Sequence, residues 1–231
     1  MLPMTFAVEK IEQLGLGSSR SVLERAAAEF GARGYAVANV GMLTPSQFLN
    51  LAYMFGEVVP PGRNCELVTT IVTKADSGEQ IVPLHNDKSY WSVPPKVLLF
   101  YISSARDMSS GNMLLSDILS AFRTLSAEAQ TGLVNDDLLI FAPKNRDPRQ
   151  ARLRVINHLN GELAFFRFRE DIVTSGPAIA EWFGAAAQQS FTCPLTVGSL
   201  LVLNNWTMAH GREQTTFFNN GERTAFRALV L

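Results

Sequence analysis

The sequence predicts a mainly β protein with flanking helices, of the β-sandwich or barrel type. Many short apolar stretches rich in β-branched and aromatic residues follow one another. Loops separate them, with no regular alternation of strand and helix. The densest of them, Val97-Ile102, is apolar at every position, as a strand buried on both faces must be. The chain has 231 residues, 47% hydrophobic and 18% charged. That is enough apolar mass for one full core, so residues 1–231 read as a single domain.

Taken in order, Ser21-Gly34 reads as an amphipathic helix. Val22, Leu23, Ala26, Ala27 and Phe30 recur at helical spacing, and Gly34 stops it. Tyr35-Val40 is a strand. Thr44 caps a second helix that has Pro45 in its first turn and ends near Phe55. Cys65-Thr73 and Ile81-Leu84 read as strands, the latter ending at His85. Val97-Ile102 and Asn112-Leu115 follow. Asp117 caps a helical stretch over Ile118-Leu133. Leu138-Ala142, Arg152-Ile156 and Leu163-Arg169 are strand-like, and Ala178-Gln188 is helical. Leu195, Leu200-Leu203 and Thr224-Leu231 close the chain as strands. Val58-Asn64, Asp107-Gly111 and Lys144-Gln150 carry the turn-forming residues and read as the most mobile loops.

Composition excludes several functions. Net charge is -1 and no basic block occurs, so nucleic acid has no electrostatic foothold. No apolar run is long enough to span a bilayer, and the N-terminus lacks the pattern of a secretory signal. A cytoplasmic protein without nucleic-acid or membrane partners is expected. Oligomeric state stays open, with Ile118-Leu133 as core or homodimer packing. Cys65 and Cys193 stand far apart without a CxxC partner and read as buried small hydrophobes.

The chemistry gathers around the histidines, of which there are three. His158 sits in Asn157-His158-Leu159-Asn160-Gly161, a hairpin-turn composition, and reads as a turn residue. His85 and Asp87 are two apart on an extended segment, so their side chains share one side and Asn86 faces away. Chance gives roughly 0.1 such pairs in a chain of this composition, so the pair alone is only suggestive. The second half strengthens it. Gly198 leads into Leu200-Leu203, and His210-Gly211-Arg212 follows in one short loop, where Gly211 permits close backbone approach. Two imidazoles and a carboxylate cover one face of an octahedral Fe(II) and leave three positions for a 2-oxo acid and O₂. Such an acid needs an arginine for its far carboxylate. Arg223 and Arg227 share a strand face and would enter one cavity.

These pieces resemble the Fe(II)/2-oxoglutarate-dependent oxygenases of the taurine dioxygenase and clavaminate synthase-like family. The match runs through Leu84-His85-Asn86-Asp87, Pro94-Pro95, Gly111 to Asp117, Gly198 to Asn205, His210-Gly211-Arg212 and Arg223 to Arg227, over roughly residues 30–231. It implies a distorted double-stranded β-helix (a jelly roll) with the metal ligands His85, Asp87 and His210 at its open mouth. It implies Arg223 as the 2-oxoglutarate anchor and Arg227 as a contact for a substrate carboxylate. Asn86 and Trp206, beside the ligands in sequence, are further candidate substrate contacts.

The resemblance implies hydroxylation of an unactivated C–H bond in a small substrate, an amino acid or amino-acid derivative of secondary metabolism, with Fe(II), 2-oxoglutarate and O₂. Desaturation or cyclisation would use the same residues. A cupin-like metal enzyme that does not use 2-oxoglutarate, or a non-catalytic jelly-roll binder, are the other classes. Three departures stand out. Met113 occupies a position where the family offers a threonine hydroxyl to 2-oxoglutarate. The chain is shorter than typical members, which implies a reduced lid. Asp87 retains the carboxylate that related halogenases lack, which points away from halogenation.

Overall fold

The computed structural model describes residues 20–62, 65–75, 81–109, 111–135, 137–140, 151–159, 161–169 and 176–231. The N-terminal segment and Lys144-Gln150 lie outside the described residues, as does the end of the strand expected over Leu138-Ala142.

Two antiparallel sheets form the centre. The larger runs in the order β1 (Tyr35–Asn39), β12 (Ser199–Asn204), β5 (Val97–Met108), β14 (Phe217–Val230), β2 (Val58–Val59), and β3 (Thr69–Lys74) also pairs with β14. The smaller runs β11 (Phe191–Cys193), β6 (Met113–Asp117), β13 (Met208–Arg212), β4 (Val82–His85). Together they make the distorted double-stranded β-helix that the resemblance implies. Two hairpin-like pairs complete the strands: β7 (Asp137–Ile140) with β8 (Ala151–Arg154), and β9 (Ile156–Leu159) with β10 (Glu162–Phe166).

The continuous apolar runs have a simple cause. Along β5, Val97, Leu99 and Tyr101 enter one core cluster, while Leu98 and Phe100 enter another. Along β12, Leu200 and Val202 go one way and Leu201 and Leu203 the other. Both strands are buried on both faces, so alternation vanishes from their sequence. Leu98, Leu115, Leu201, Leu203, Met208 and Leu229 fill the space between the sheets.

Helices cover the outer faces. Helices α1 (Arg20–Arg33) and α2 (Pro45–Tyr53) pack on the larger sheet through Leu23, Phe30, Phe48 and Leu51. A reciprocal capping box opens α2: Gln47 N–H donates to Thr44 Oγ1, and Thr44 N–H donates to Gln47 Oε1. Helices α3 (Ile118–Arg123), α4 (Ala127–Asn135) and α5 (Pro177–Gln188) cover the smaller sheet through Ile118, Phe122, Leu133 and Trp182. Ile118-Leu133 is therefore core packing. It is two helices and not one. Thr124 Oγ1 donates back to Ala121 O, and Ser126 Oγ accepts from Ala129 N–H, which caps a new helix.

Other expectations shift. The Arg152-Ile156 stretch divides between β8 and β9, and the Thr224-Leu231 stretch is the second half of the longer β14. His158 is a strand residue, opposite Leu163 and exposed, because the hairpin turn begins beyond it. Cys65 is exposed, in a left-handed backbone conformation (φ 55°), and only Cys193 is buried. Among the described residues, no helix is long and apolar enough to cross a membrane.

Burial pushes the Cys193 thiol up to about 11, which keeps it protonated and inert. The native protein is expected to take up one equivalent of a thiol alkylating reagent, at Cys65, and the denatured protein two. Mass spectrometry of the labelled peptides checks this; rapid native labelling of Cys193 would contradict the packing.

Candidate metal centre

The site begins with an irregularity in the smaller sheet. His210 pairs with His85 and Arg212 with Val82, so two steps along β13 span three along β4. This bulge turns both Val82 and His85 into the same cavity, although they are three positions apart. Gly211 makes the approach possible. A Cβ there would lie 2.6 Å from Val82 O and 3.2 Å from Leu84 N. His210 is not in a loop, as the sequence reading has it. It lies mid-strand, because β6 and β4 flank β13 on both sides and take up its backbone groups.

Asp87 reaches the same centre by a different route from the one expected. Strand β4 ends at His85, and Asp87 lies in the turn that follows, so the strand rule does not set its direction. Two buried asparagines do. Asn86 Nδ2 donates to Asn205 O (2.7 Å) and Met208 O (2.8 Å), and Phe168 N–H donates to Asn86 Oδ1 (2.9 Å). In return, Asp87 N–H donates to Asn205 Oδ1 (2.8 Å), and Asn205 Nδ2 donates to Asp87 O and Pro95 O. The result brings one ligand atom each from His85, Asp87 and His210 within 4.8 Å of one another. Two imidazoles and a carboxylate beside open space are the donor set of a facial non-haem Fe(II) centre, so the residues fit that ion.

The electrostatics agree. His85 Nδ1 sits 2.9 Å from Pro83 O, which fixes it as the protonated nitrogen and leaves the Nε2 lone pair facing Asp87 Oδ1, 3.7 Å away. Burial pushes His210 down to about 3, and the neighbouring His85 adds to that, so the ring is neutral at physiological pH. Its Nδ1 is buried without a hydrogen-bond partner. Burial raises the carboxyl pKa of Asp87, but His85 and the Arg227 guanidinium outweigh it and hold the group well below the usual carboxylate range. Neutral imidazoles and a charged carboxylate are the protonation states that ligation requires.

The cavity beside the three ligands measures about 200 Å³. Ile71, Phe100, Met113 and Ala225 give it apolar walls, and Arg212, Arg223 and Arg227 line it too. Arg223 and Arg227 thus enter one cavity, as their spacing predicts. Arg223 is buried and donates to Gly111 O; burial, then the nearby Arg212, pushes it down to about 10. Arg227 Nη1 donates to Asp87 Oδ2 at 3.1 Å, and its Nε is buried without a partner.

Two expected substrate contacts are corrected. The Asn86 side chain is fully buried and fully engaged with the framework, so it has nothing to offer a ligand. Trp206 is outside the described cavity lining; its Nε1 donates to Pro94 O and its ring packs on Phe165. Arg167 was not among the expected site residues. Arg167 is buried and donates to the carbonyls of Arg154, Ser89, Trp91 and Ser92, clamping the segment after Asp87. Its phenylalanine neighbours were the available signal for burial. Asn205 and Thr73 gave no sequence signal of a role.

Comparison with known proteins gives a family and a fold. The family model described as taurine catabolism dioxygenase TauD, TfdA family matches residues 18–229. No curated protein matches the chain. Among solved structures, an asparagine oxygenase in complex with Fe(II), 3-hydroxyasparagine and succinate superposes with a TM-score of 0.75 at 18% identity, covering 91% of this chain and 79% of that one. The non-heme iron oxygenase OrfP in complex with Fe, succinate and a dihydroxy-arginine gives a TM-score of 0.71 at 14% identity, covering 98% and 86%. At these identities the likeness establishes the fold.

Gly211→Ala is expected to separate β13 from the bulge in β4 and so pull His210 away from His85. Metal affinity, followed by calorimetry with Mn(II), should fall tenfold or more, the scale seen when support around a metal ligand is lost. Unchanged affinity in a folded variant would show that the close approach does not set the site.

Proposed function

The chain belongs to the TauD/TfdA family and is an Fe(II)- and 2-oxoglutarate-dependent dioxygenase, and we propose that it hydroxylates a C–H bond of an amino acid or amino-acid derivative. The observation that supports this best is the cavity itself. It joins His85 and His210, which cluster with Asp87, to Arg223 and Arg227 within one apolar-walled space. We assign His85, Asp87 and His210 as the iron ligands, Arg223 as the anchor for the far carboxylate of 2-oxoglutarate, and Arg227 as the contact for the substrate's α-carboxylate.

Bound together, the iron, 2-oxoglutarate and O₂ supply the oxidising power for C–H hydroxylation. The protein's own residues supply position. The Pro83 carbonyl fixes the His85 tautomer, so the Nε2 lone pair faces the centre. Arg227 holds Asp87 Oδ2 and so leaves Oδ1, on the His85 side, to face the ion. The buried Nε of Arg227 remains open to an anion in the cavity, which suits an amino-acid carboxylate. Arg223, buried behind apolar walls, presents a charged fork where few waters compete. The solved complexes of the asparagine oxygenase and OrfP contain amino-acid products, which favours the same substrate class here. The cytoplasm suits such a substrate.

Asp87→Ala is expected to abolish iron binding and turnover. Succinate formation at the wild-type rate in that variant would refute the ligand assignment. Amino acids screened against the anaerobic Fe(II)/2-oxoglutarate complex should perturb its visible metal-to-ligand absorption, and a true substrate should stimulate succinate release. Arg227→Met should then raise the amino-acid requirement tenfold or more with little change in that for 2-oxoglutarate. If no amino acid stimulates succinate release, the substrate assignment falls.

A further inference from the structure

A third arginine faces the cavity, and the function just proposed leaves it unused. Arg212 lies two residues beyond His210 on β13, and so on the same strand face. Its partner in register on β6 is Met113, which lines the cavity without offering a hydrogen-bonding group. On the opposite sheet, Arg223 on β14 pairs in register with Thr73 on β3. Arg212 Nη1 donates to Thr73 Oγ1 at 2.9 Å, across the gap between the sheets. Thr73 is thus hydrogen-bonded to Arg212 and paired in register with Arg223, and all three residues line the same cavity. Thr73 is buried, and its hydroxyl serves there as an acceptor, which leaves its own proton for another acceptor.

Two guanidinium groups this close repel each other in an apolar-walled space, and the proximity of Arg212 lowers the proton affinity of Arg223. The described residues lining the cavity include no acidic side chain. Such a pair is relieved by an anion placed between its members, and a carboxylate has enough lone pairs for both guanidinium groups and a hydroxyl.

We propose that Arg212 and Thr73 complete, with Arg223, a three-residue clamp that spans both sheets and grips the far carboxylate of 2-oxoglutarate. The proposal rests on the assignment of Arg223 as the co-substrate anchor. It assigns Arg212 a binding role that Met113, its neighbour in register, cannot fill. It also explains how an apolar side chain is tolerated on that wall.

The test separates carboxylate recognition from a merely structural strut. The Mn(II)-loaded protein is titrated without O₂ by calorimetry, with 2-oxoglutarate and with 2-oxobutyrate, which keeps the chelating end and lacks the far carboxylate. In Arg212→Met, affinity for 2-oxoglutarate should fall about tenfold or more, while that for 2-oxobutyrate stays within about twofold. Arg212→Lys should recover part of the loss, and Thr73→Val should show a smaller loss with the same selectivity. Equal weakening of both ligands, or of neither, would overturn the clamp. If Arg212→Met does not fold, Thr73→Val decides, and unchanged 2-oxoglutarate affinity there overturns the proposal. A wild-type protein that binds the two acids equally would instead overturn the co-substrate anchor itself, and the clamp with it.

Discussion

The exchange of hydrogen bonds between Asn86 and Asn205 is the constraint on which the rest of the site depends. Each side chain bonds to the other residue's local backbone, so the turn after β4 is tied to the end of β12. Both residues are fully buried. Loss of either amide would leave several buried backbone groups without partners, at about 1–3 kcal/mol each. The arrangement therefore acts as a rigid splice between segments more than a hundred residues apart in sequence. Asp87 is the next residue in that splice, and its position follows from it.

The bulge in β4 performs the matching task for the histidines. A regular strand would send Val82 and His85 to opposite faces. The extra residue brings both inward and sets His85 against His210, with ring centroids 4.3 Å apart. Gly211 is the condition for this, because any side chain would strike the bulged backbone. The ligand set is thus built from one bulge, one glycine and one pair of asparagines. Arg167 adds a fourth restraint by holding the carbonyls of residues 89, 91 and 92.

Charge is distributed to match. Asp87, beside the cavity, is kept ionised by His85 and Arg227, and the His210 imidazole that lines it is kept neutral by burial. The cavity is also lined by Arg212, which donates to Thr73, and by Arg223, the register partner of Thr73. Arginines line a space whose walls are otherwise largely apolar, so an elongated dianion has favourable sites there. The two sheets contribute unequally: the smaller supplies both histidines and Arg212, and the larger supplies Thr73, Arg223 and Arg227.

The sequence by itself determined the fold class, the family and the identity of the three clustered ligands. Those features rest on local rules: apolar runs that mark doubly buried strands, caps at Thr44 and Asp117, and a histidine followed by glycine. It also placed Arg223 and Arg227 together, because strand periodicity is local. It failed where a side chain's role is set by a distant partner. His210 was read as a loop residue because its flanking strands come from elsewhere in the chain. Asn86 was offered to the substrate because nothing nearby shows that Asn205, Met208 and Phe168 consume its amide. Nothing near Arg167 in sequence marks it as held, because three of the four carbonyls that accept from it lie more than seventy residues away. The bridge from Arg212 to Thr73 exists only once two sheets face each other. Hydrogen bonds and charge pairs between remote segments have no periodicity in the sequence, so only the tertiary structure could decide them.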